Sequence, residues 1–140
     1  MFRTGSEAVL DASAIVRSVV SAQPDATSWL RQAAKREVLA VAPDHLHAEI
    51  GNALRRLVRG GLLEFEAAND RLSYALDLPI KLFPARLLAP QALALSVARG
   101  ISVYDALYLA LALGYGAPLV TADRRLAAAA GDAACLLPPV

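Results

Sequence analysis

Residues 101–123 read ISVYDALYLALALGYGAPLVTAD. Ser102 and Asp105 stand three apart at the head of a strongly apolar run, the capping-box pattern that opens a helix. Gly114, Gly116 and Pro118 then mark a helix stop and a turn, and PLVTAD reads as a buried strand ending in an acid. The uncharged run after Asp105 is too short for a comfortable membrane span, which takes ~20 apolar residues. It is therefore read as a buried helix followed by a buried strand, the arrangement of a helix packed on a sheet.

The same alternation extends in both directions. EAVLD (7–11) is a short apolar run ending in an acid, and ASAIVRSVV (12–20) suits a helix lying on the sheet. Residues 26–36 place Trp29, Leu30 and Ala33 at helical spacing. VLAVAP (38–43) is a second strand closed by Pro43, after which Asp44 is expected to cap a helix through Leu46, Ile50, Ala53, Leu54 and Leu57 that ends at Gly60 and Gly61. A helix over about 64–76 precedes a third strand in PIKLFP (79–84). Pro90 is expected in the first turn of another helix, stopped by Gly100. RRLAAAAG (124–131) is a short helix and CLLPPV (135–140) a last edge strand. Short apolar strands alternating with helices predict an α/β fold with a parallel sheet covered on both faces. A length of 140 residues fits a single domain over 1–140.

Composition narrows the function without choosing it. Fourteen Lys+Arg against 13 Asp+Glu give a net charge of +1, which excludes a uniformly basic nucleic-acid coat but permits a basic patch beside an acidic pocket. The basic clusters are Arg55, Arg56 and Arg59, then Arg124 and Arg125. The lone Cys135 makes no internal disulfide and reads as a buried thiol. MFRTGSEAVLDASA shows no secretory apolar core, because Glu7 and Asp11 interrupt it, so a cytoplasmic location is expected.

Chemistry rests on four acids: Asp11, Glu49, Asp105 and Asp123. Asp11 and Asp123 each end an apolar strand ahead of a helix, and Asp105 belongs to the capping box, so each fits a structural cap. Glu49 is harder to place structurally, lying near the core-facing stripe of its helix with Asn52 one turn on. Taken together they point elsewhere, because ligands of open α/β sheets bind beyond the carboxyl ends of the strands. Two carboxylates ~4 Å apart repel by about 4 kcal/mol at an effective dielectric of 20, so a gathered set calls for protons or a cation. All-oxygen ligands favour Mg²⁺ or Mn²⁺ over zinc, and His45 and His47, two apart on a helix, are read as surface or capping residues.

On these residues the chain resembles the PIN-domain family, and within it the VapC-type toxins of toxin-antitoxin pairs. The likeness lies in VLDASAIV around Asp11, HAEIGNALRR around Glu49, SVYDALYLALA around Asp105 and APLVTADRRLA around Asp123. The resemblance implies a three-layer α/β/α fold and a Mg²⁺- or Mn²⁺-dependent ribonuclease whose metal is held by Asp11, Glu49, Asp105 and Asp123, with Asp11 and Asp105 foremost. Ser13, Asn52 and Thr121 match supporting polar positions, although Ser13 and Thr121 suit caps equally well. The basic groups Arg55, Arg56, Arg59, Arg124 and Arg125 become candidates for RNA phosphates. A homodimer and a VapB-type antitoxin are further implications; the apolar helices at 46–57 and 64–76 suit a groove for the antitoxin, and suit ordinary core equally well. No acid follows Asp123 until Asp132, whereas some relatives carry another carboxylate near this loop. Two other readings stay open at this level: a catalytically weak PIN-fold binding module, and a metal-dependent nuclease acting on DNA.

Overall fold

The structure is a computed structural model and describes residues 6–140, so the first five residues of the N-terminal stretch read above lie outside the described residues. In chain order the elements are β1 (Glu7–Leu10), α1 (Ala12–Val19), α2 (Pro24–Ala34), β2 (Leu39–Pro43), α3 (Leu46–Arg59) and α4 (Phe65–Leu76). They continue as β3 (Ile80–Phe83), α5 (Ala85–Arg99), α6 (Val103–Tyr115), β4 (Leu119–Thr121), α7 (Arg124–Ala130), a 3₁₀ turn (Gly131–Ala133) and β5 (Ala134–Leu136). The five strands form one parallel sheet in the order β3-β2-β1-β4-β5, with Val9 opposite Val41 on one side and Leu119 on the other.

Right-handed crossovers assign the layers. From β1 the chain steps outward to β2 and β3, which puts α1 to α4 on one face, where α1 packs on α2 and α3, and α3 on α4. It then returns across the sheet to β4 and β5, which puts α5, α6 and α7 on the other face. The result is the three-layer α/β/α arrangement expected from the alternation. The reversal of direction between β1 and β4 is the topological switch point, where side chains at the strand ends border an open crevice.

The central strands β1, β2 and β4 are largely apolar because both faces are covered: Ala8, Val9, Val41, Ala42, Leu119 and Val120 are all buried. Every residue of α6 from Ala106 to Ala112 is buried, which explains a helix without a polar face. Among the described residues no single helix is long and apolar enough to cross a membrane.

Three local expectations are corrected. Asp44 does not cap α3; its Oδ1 accepts from Ala85 N–H at 3.0 Å, capping the start of α5, while His45 occupies the N-cap of α3 without a side-chain bond to the helix's first N–H groups. Pro90 lies inside α5 rather than in its first turn, since the helix starts at Ala85 directly after Pro84. Pro90 and Arg86 are exposed, so water can serve the Arg86 carbonyl that the proline ring leaves without its helical donor. Cys135 is half-buried rather than buried.

Candidate active site

Asp11 follows β1 directly, and its extended backbone makes it the N-cap of α1, with Oδ1 accepting from Ala14 N–H at 2.9 Å. Capping accounts for only one of its bonds. Ser13 Oγ donates to Oδ1 at 2.7 Å, and Thr121 Oγ1, at the end of β4, donates to Oδ2 at 2.5 Å. Ala122 N–H donates to Ser13 Oγ and Asp123 N–H to Thr121 Oγ1, at 2.8 and 2.9 Å. This network ties the carboxyl ends of β1 and β4 together across the switch point and holds Asp11 in one orientation. Asp11 is 4 % exposed, and burial pushes its carboxyl from 3.8 up to about 6 against the lowering effect of the Thr121, Ser13 and Ala14 bonds.

The other acids arrive from three more elements. Asp123 caps α7 through Arg125 and Leu126 N–H, at 2.8 and 3.2 Å. Asp105 stands in the first turn of α6, where Ser102 Oγ accepts its N–H at 3.1 Å, so the cap belongs to the serine. Burial raises the Asp105 carboxyl, and the charges of Asp123 and Glu49 raise it further. Glu49, one turn into α3, is half-buried; burial pushes it up, but His45, with smaller contributions from the nearby Tyr108 hydroxyl and the Arg56 charge, holds it below the usual range.

His45 is not a surface residue. Its Nε2 lies 3.1 Å from the Tyr104 carbonyl, which can only accept, so Nε2 carries a proton and presents it toward Glu49 Oε1 at 3.4 Å. The ring also packs on Tyr108, with centroids 4.9 Å apart. These contacts join the first turns of α3 and α6, the two helices that carry Glu49 and Asp105.

All four acids line one cleft of about 420 Å³, together with Ser13, Asn52 and the buried Tyr108. Of the five arginines expected near RNA, Arg56 lines this cleft. Arg55 and Arg59 face the α3–α4 groove beside Phe65 and Leu72, Arg124 borders a small hollow beside the cleft, and Arg125 donates to the Gly100 carbonyl at 3.3 Å. Two cleft residues, Arg17 and Tyr108, were not singled out from sequence, and His45, which reaches toward Glu49, was read only as a surface or capping residue. Each stands one helical turn from an expected site residue, namely Ser13, Asp105 and Glu49, and that spacing is the signal that could have found them.

The donor set suits a hard divalent cation. It is oxygen throughout, Asp105 is raised by burial and then by neighbouring anions whose charge a cation would neutralise, and the only nearby imidazole spends Nε2 on a carbonyl. Among the described residues no three His, Cys, Asp or Glu side chains are placed to enclose an ion. A cation here would be held by one or two carboxylates and keep several waters, the habit of Mg²⁺ and not of zinc.

Tyr108 makes its own prediction. Its buried hydroxyl lies toward Glu49 and the Ala12 backbone without closing a hydrogen bond to either, and burial followed by the Glu49 and Asp11 charges keeps it protonated. Removing an unpaired buried hydroxyl is close to neutral or stabilising, so Tyr108→Phe is expected to raise stability by up to ~1 kcal/mol in urea unfolding. A loss larger than that would show that the hydroxyl has a partner in solution.

The PIN domain family model matches residues 8–132. Ribonuclease VapC1 of Mycobacterium tuberculosis is 38% identical over 130 residues, covering 89% of this chain and 92% of the relative. Ribonuclease VapC3 of Pyrobaculum aerophilum is 33% identical over 123 residues, covering 85% and 91%. Among solved structures, PAE2754 from Pyrobaculum aerophilum superposes with a TM-score of 0.70 at 28% identity, covering 93% of this chain and 83% of that one.

Proposed function

The chain belongs to the PIN domain family, and we propose on that premise that it is a divalent-metal-dependent endoribonuclease, the toxin of a VapBC-type toxin-antitoxin pair. The observation that carries this reading is the convergence of Asp11, Glu49, Asp105 and Asp123, from four separate elements, on one cleft at the switch point. The name and high coverage of Ribonuclease VapC1 support RNA as the substrate class.

Asp11 and Asp105 would hold the cation, with Glu49 and Asp123 completing the acidic wall. When bound, Mg²⁺ or Mn²⁺ supplies Lewis-acid charge for the phosphoryl oxygen and makes a coordinated water more acidic. The chain's own residues prepare that arrangement. Ser13, Thr121 and the Ala14 N–H fix both Asp11 oxygens, so little reorganisation is left for the reaction. His45 and Arg56 favour the ionised form of Glu49. Asn52, one turn from Glu49 on the cleft wall, is placed to bind water or a phosphate oxygen. In-line attack of water on the phosphorus, with cleavage of the P–O3′ bond and a proton delivered to the departing 3′ oxygen, leaves 5′-phosphate and 3′-hydroxyl ends.

The same reading extends to the chain's surroundings. It acts as a single domain in the cytoplasm, forms a homodimer, and is restrained by a VapB-type antitoxin. The antitoxin's short helix seats in the α3–α4 groove formed by Leu54, Val58, Phe65 and Leu72, where Phe65 is left exposed.

Asp105→Asn is the cleanest variant, since Ser102 caps α6 and the carboxylate can lose its charge without loss of the cap. Single-stranded RNA, structured RNA and DNA would be offered to the purified chain with Mg²⁺ and with a chelator. Cleavage of RNA, abolished by chelation and reduced roughly a hundredfold or more in the variant, is expected. Equal cleavage by Asp105→Asn would reject the site, preference for DNA would reject the substrate class, and antitoxin binding without any cleavage would identify a binding module instead.

A further inference from the structure

The cleft does not end at the acids. It continues as a groove between α1 and α3, walled on one side by Ser13, Val16, Arg17 and Val20, and on the other by Glu49, Asn52, Arg56 and Leu57. Both sets repeat at intervals of three and four, so each is a single face of its helix. The two helices follow adjacent parallel strands, start at the same edge of the sheet and pack against each other. Equivalent positions therefore face each other across the groove. Arg17 lies six residues beyond Asp11 and Arg56 seven beyond Glu49, roughly 9 and 10 Å along the helix axes at 1.5 Å per residue.

Neither guanidinium is matched by an acid. Among the described residues the one ion pair is His45 with Glu49, so neither arginine is in a salt bridge. Arg17 is half-buried in the last turn of α1 and gives one N–H to the Pro138 carbonyl at 3.1 Å. That bond holds the group toward the C-terminal segment, where the groove meets the adjoining hollow, and leaves most of its five donors free. Arg56 is exposed, and its charge reaches Glu49, contributing to the depressed carboxyl there, without contact. Val16, Val20 and Leu57 form an apolar stretch beside them.

One groove thus has carboxylates at one end and two unpaired guanidiniums at the other. An anionic chain lying along it meets repulsion at the acids, relieved only by a cation, and attraction at the arginines. We propose that Arg17 and Arg56 form a clamp for a backbone phosphate of the RNA segment flanking the scissile bond, with the sugar or base of that segment resting on Val16, Val20 and Leu57. The proposal rests on the ribonuclease reading of the acids. Guanidinium forks suit phosphate oxygens, and a contact away from the reacting phosphate sets register and adds affinity in any sequence.

Phosphate contacts have a signature that fold damage does not imitate: each one neutralised on a single strand contributes about 0.7 to the slope of log affinity against log salt. The full chain carrying Asp105→Asn, which prevents turnover, would be titrated with a short single-stranded RNA of mixed sequence by fluorescence anisotropy across a NaCl series at constant Mg²⁺. Arg17→Gln and Arg56→Gln are each expected to flatten the slope by about 0.7, and together by about 1.4. Arg17→Lys and Arg56→Lys keep the charge and should restore it.

Slopes unchanged in both glutamine variants, in a parent that binds RNA and cleaves it when Asp105 is intact, overturn the clamp and leave the ribonuclease reading standing. A parent that neither binds nor cleaves RNA removes both. If the arginines govern binding of polyglutamate and not of RNA, the groove receives an acidic protein segment and the clamp is wrong.

Discussion

Asp11→Asn is expected to abolish RNA cleavage while making the cation-free protein more stable at neutral pH. Asn is as good an N-cap as Asp, and its Oδ1 can still accept from Ala14 N–H, so α1 keeps its start. What disappears is a buried negative charge. The Asp11 carboxyl is raised from 3.8 to about 6 in the fold, so the ionised form is worth less in the folded state than in the unfolded one. The associated stability is fully present below pH 3.8 and is lost as pH rises through about 6. A displacement of that size corresponds to ~3 kcal/mol at pH 7. Urea unfolding in a chelating buffer should show the wild-type chain gaining stability from this group between pH 7 and 4. The variant should lack that gain and exceed wild type at pH 7 by up to ~3 kcal/mol. Saturating Mg²⁺ should reverse the order, because ligand binding stabilises only the protein that holds the ligand. A variant less stable than wild type at neutral pH without metal would mean that the hydrogen bonds to the carboxylate outweigh the cost of burying it.

Thr121→Val should do the opposite and destabilise strongly. Thr121 is fully buried at the end of β4, and its hydroxyl both donates to Asp11 Oδ2 and accepts from Asp123 N–H. Valine has nearly the same shape, so packing is kept while a carboxylate oxygen and a backbone N–H each lose a partner. Unsatisfied buried groups cost ~1–3 kcal/mol apiece, and more when charged, so a loss of about 3 kcal/mol or more is expected at pH 7. The loss should shrink below the Asp11 titration near 6, where the carboxyl is neutral. It should also be non-additive with Asp11→Asn, because both changes act on one bond. An additive pair, or a loss under 1 kcal/mol, would indicate that Thr121 serves only as strand filler.

The fold was legible wherever a local pattern coincided with a global requirement. The apolar runs ending at Asp11 and Asp123 became β1 and β4 because strands covered on both faces need no polar alternation. The Ser102 to Asp105 spacing opened α6 where expected, and Gly100 and Gly116 ended α5 and α6 in the left-handed conformation. Errors arose where a partner is distant in sequence. Asp44 caps a helix that starts 41 residues later, and His45 is fixed by a carbonyl 59 residues away. Pro90 misled because its exposed position in α5 tolerates the missing donor, while the exposed Leu87, Leu93 and Val97 of that helix blur its apolar stripe.

For the candidate site, the placement of the four acids in one cleft was readable because each adjoins a strand end or a helix start at the same sheet edge. The cation partners were not. Which arginine faces the acids depends on helix rotation, which turns Arg56 into the cleft and Arg55 and Arg59 away from it. Arg17, isolated among apolar residues, had no cluster to draw notice.

The central claim is that these acids act together as a seat for a divalent cation. Calorimetric titration of Mn²⁺ into the full chain tests it without requiring the RNA target. Saturable binding, weakened at least ~tenfold in either Asp11→Asn or Asp105→Asn, is the predicted result. A wild-type chain that takes up no cation, or variants that bind as tightly as wild type, would contradict it.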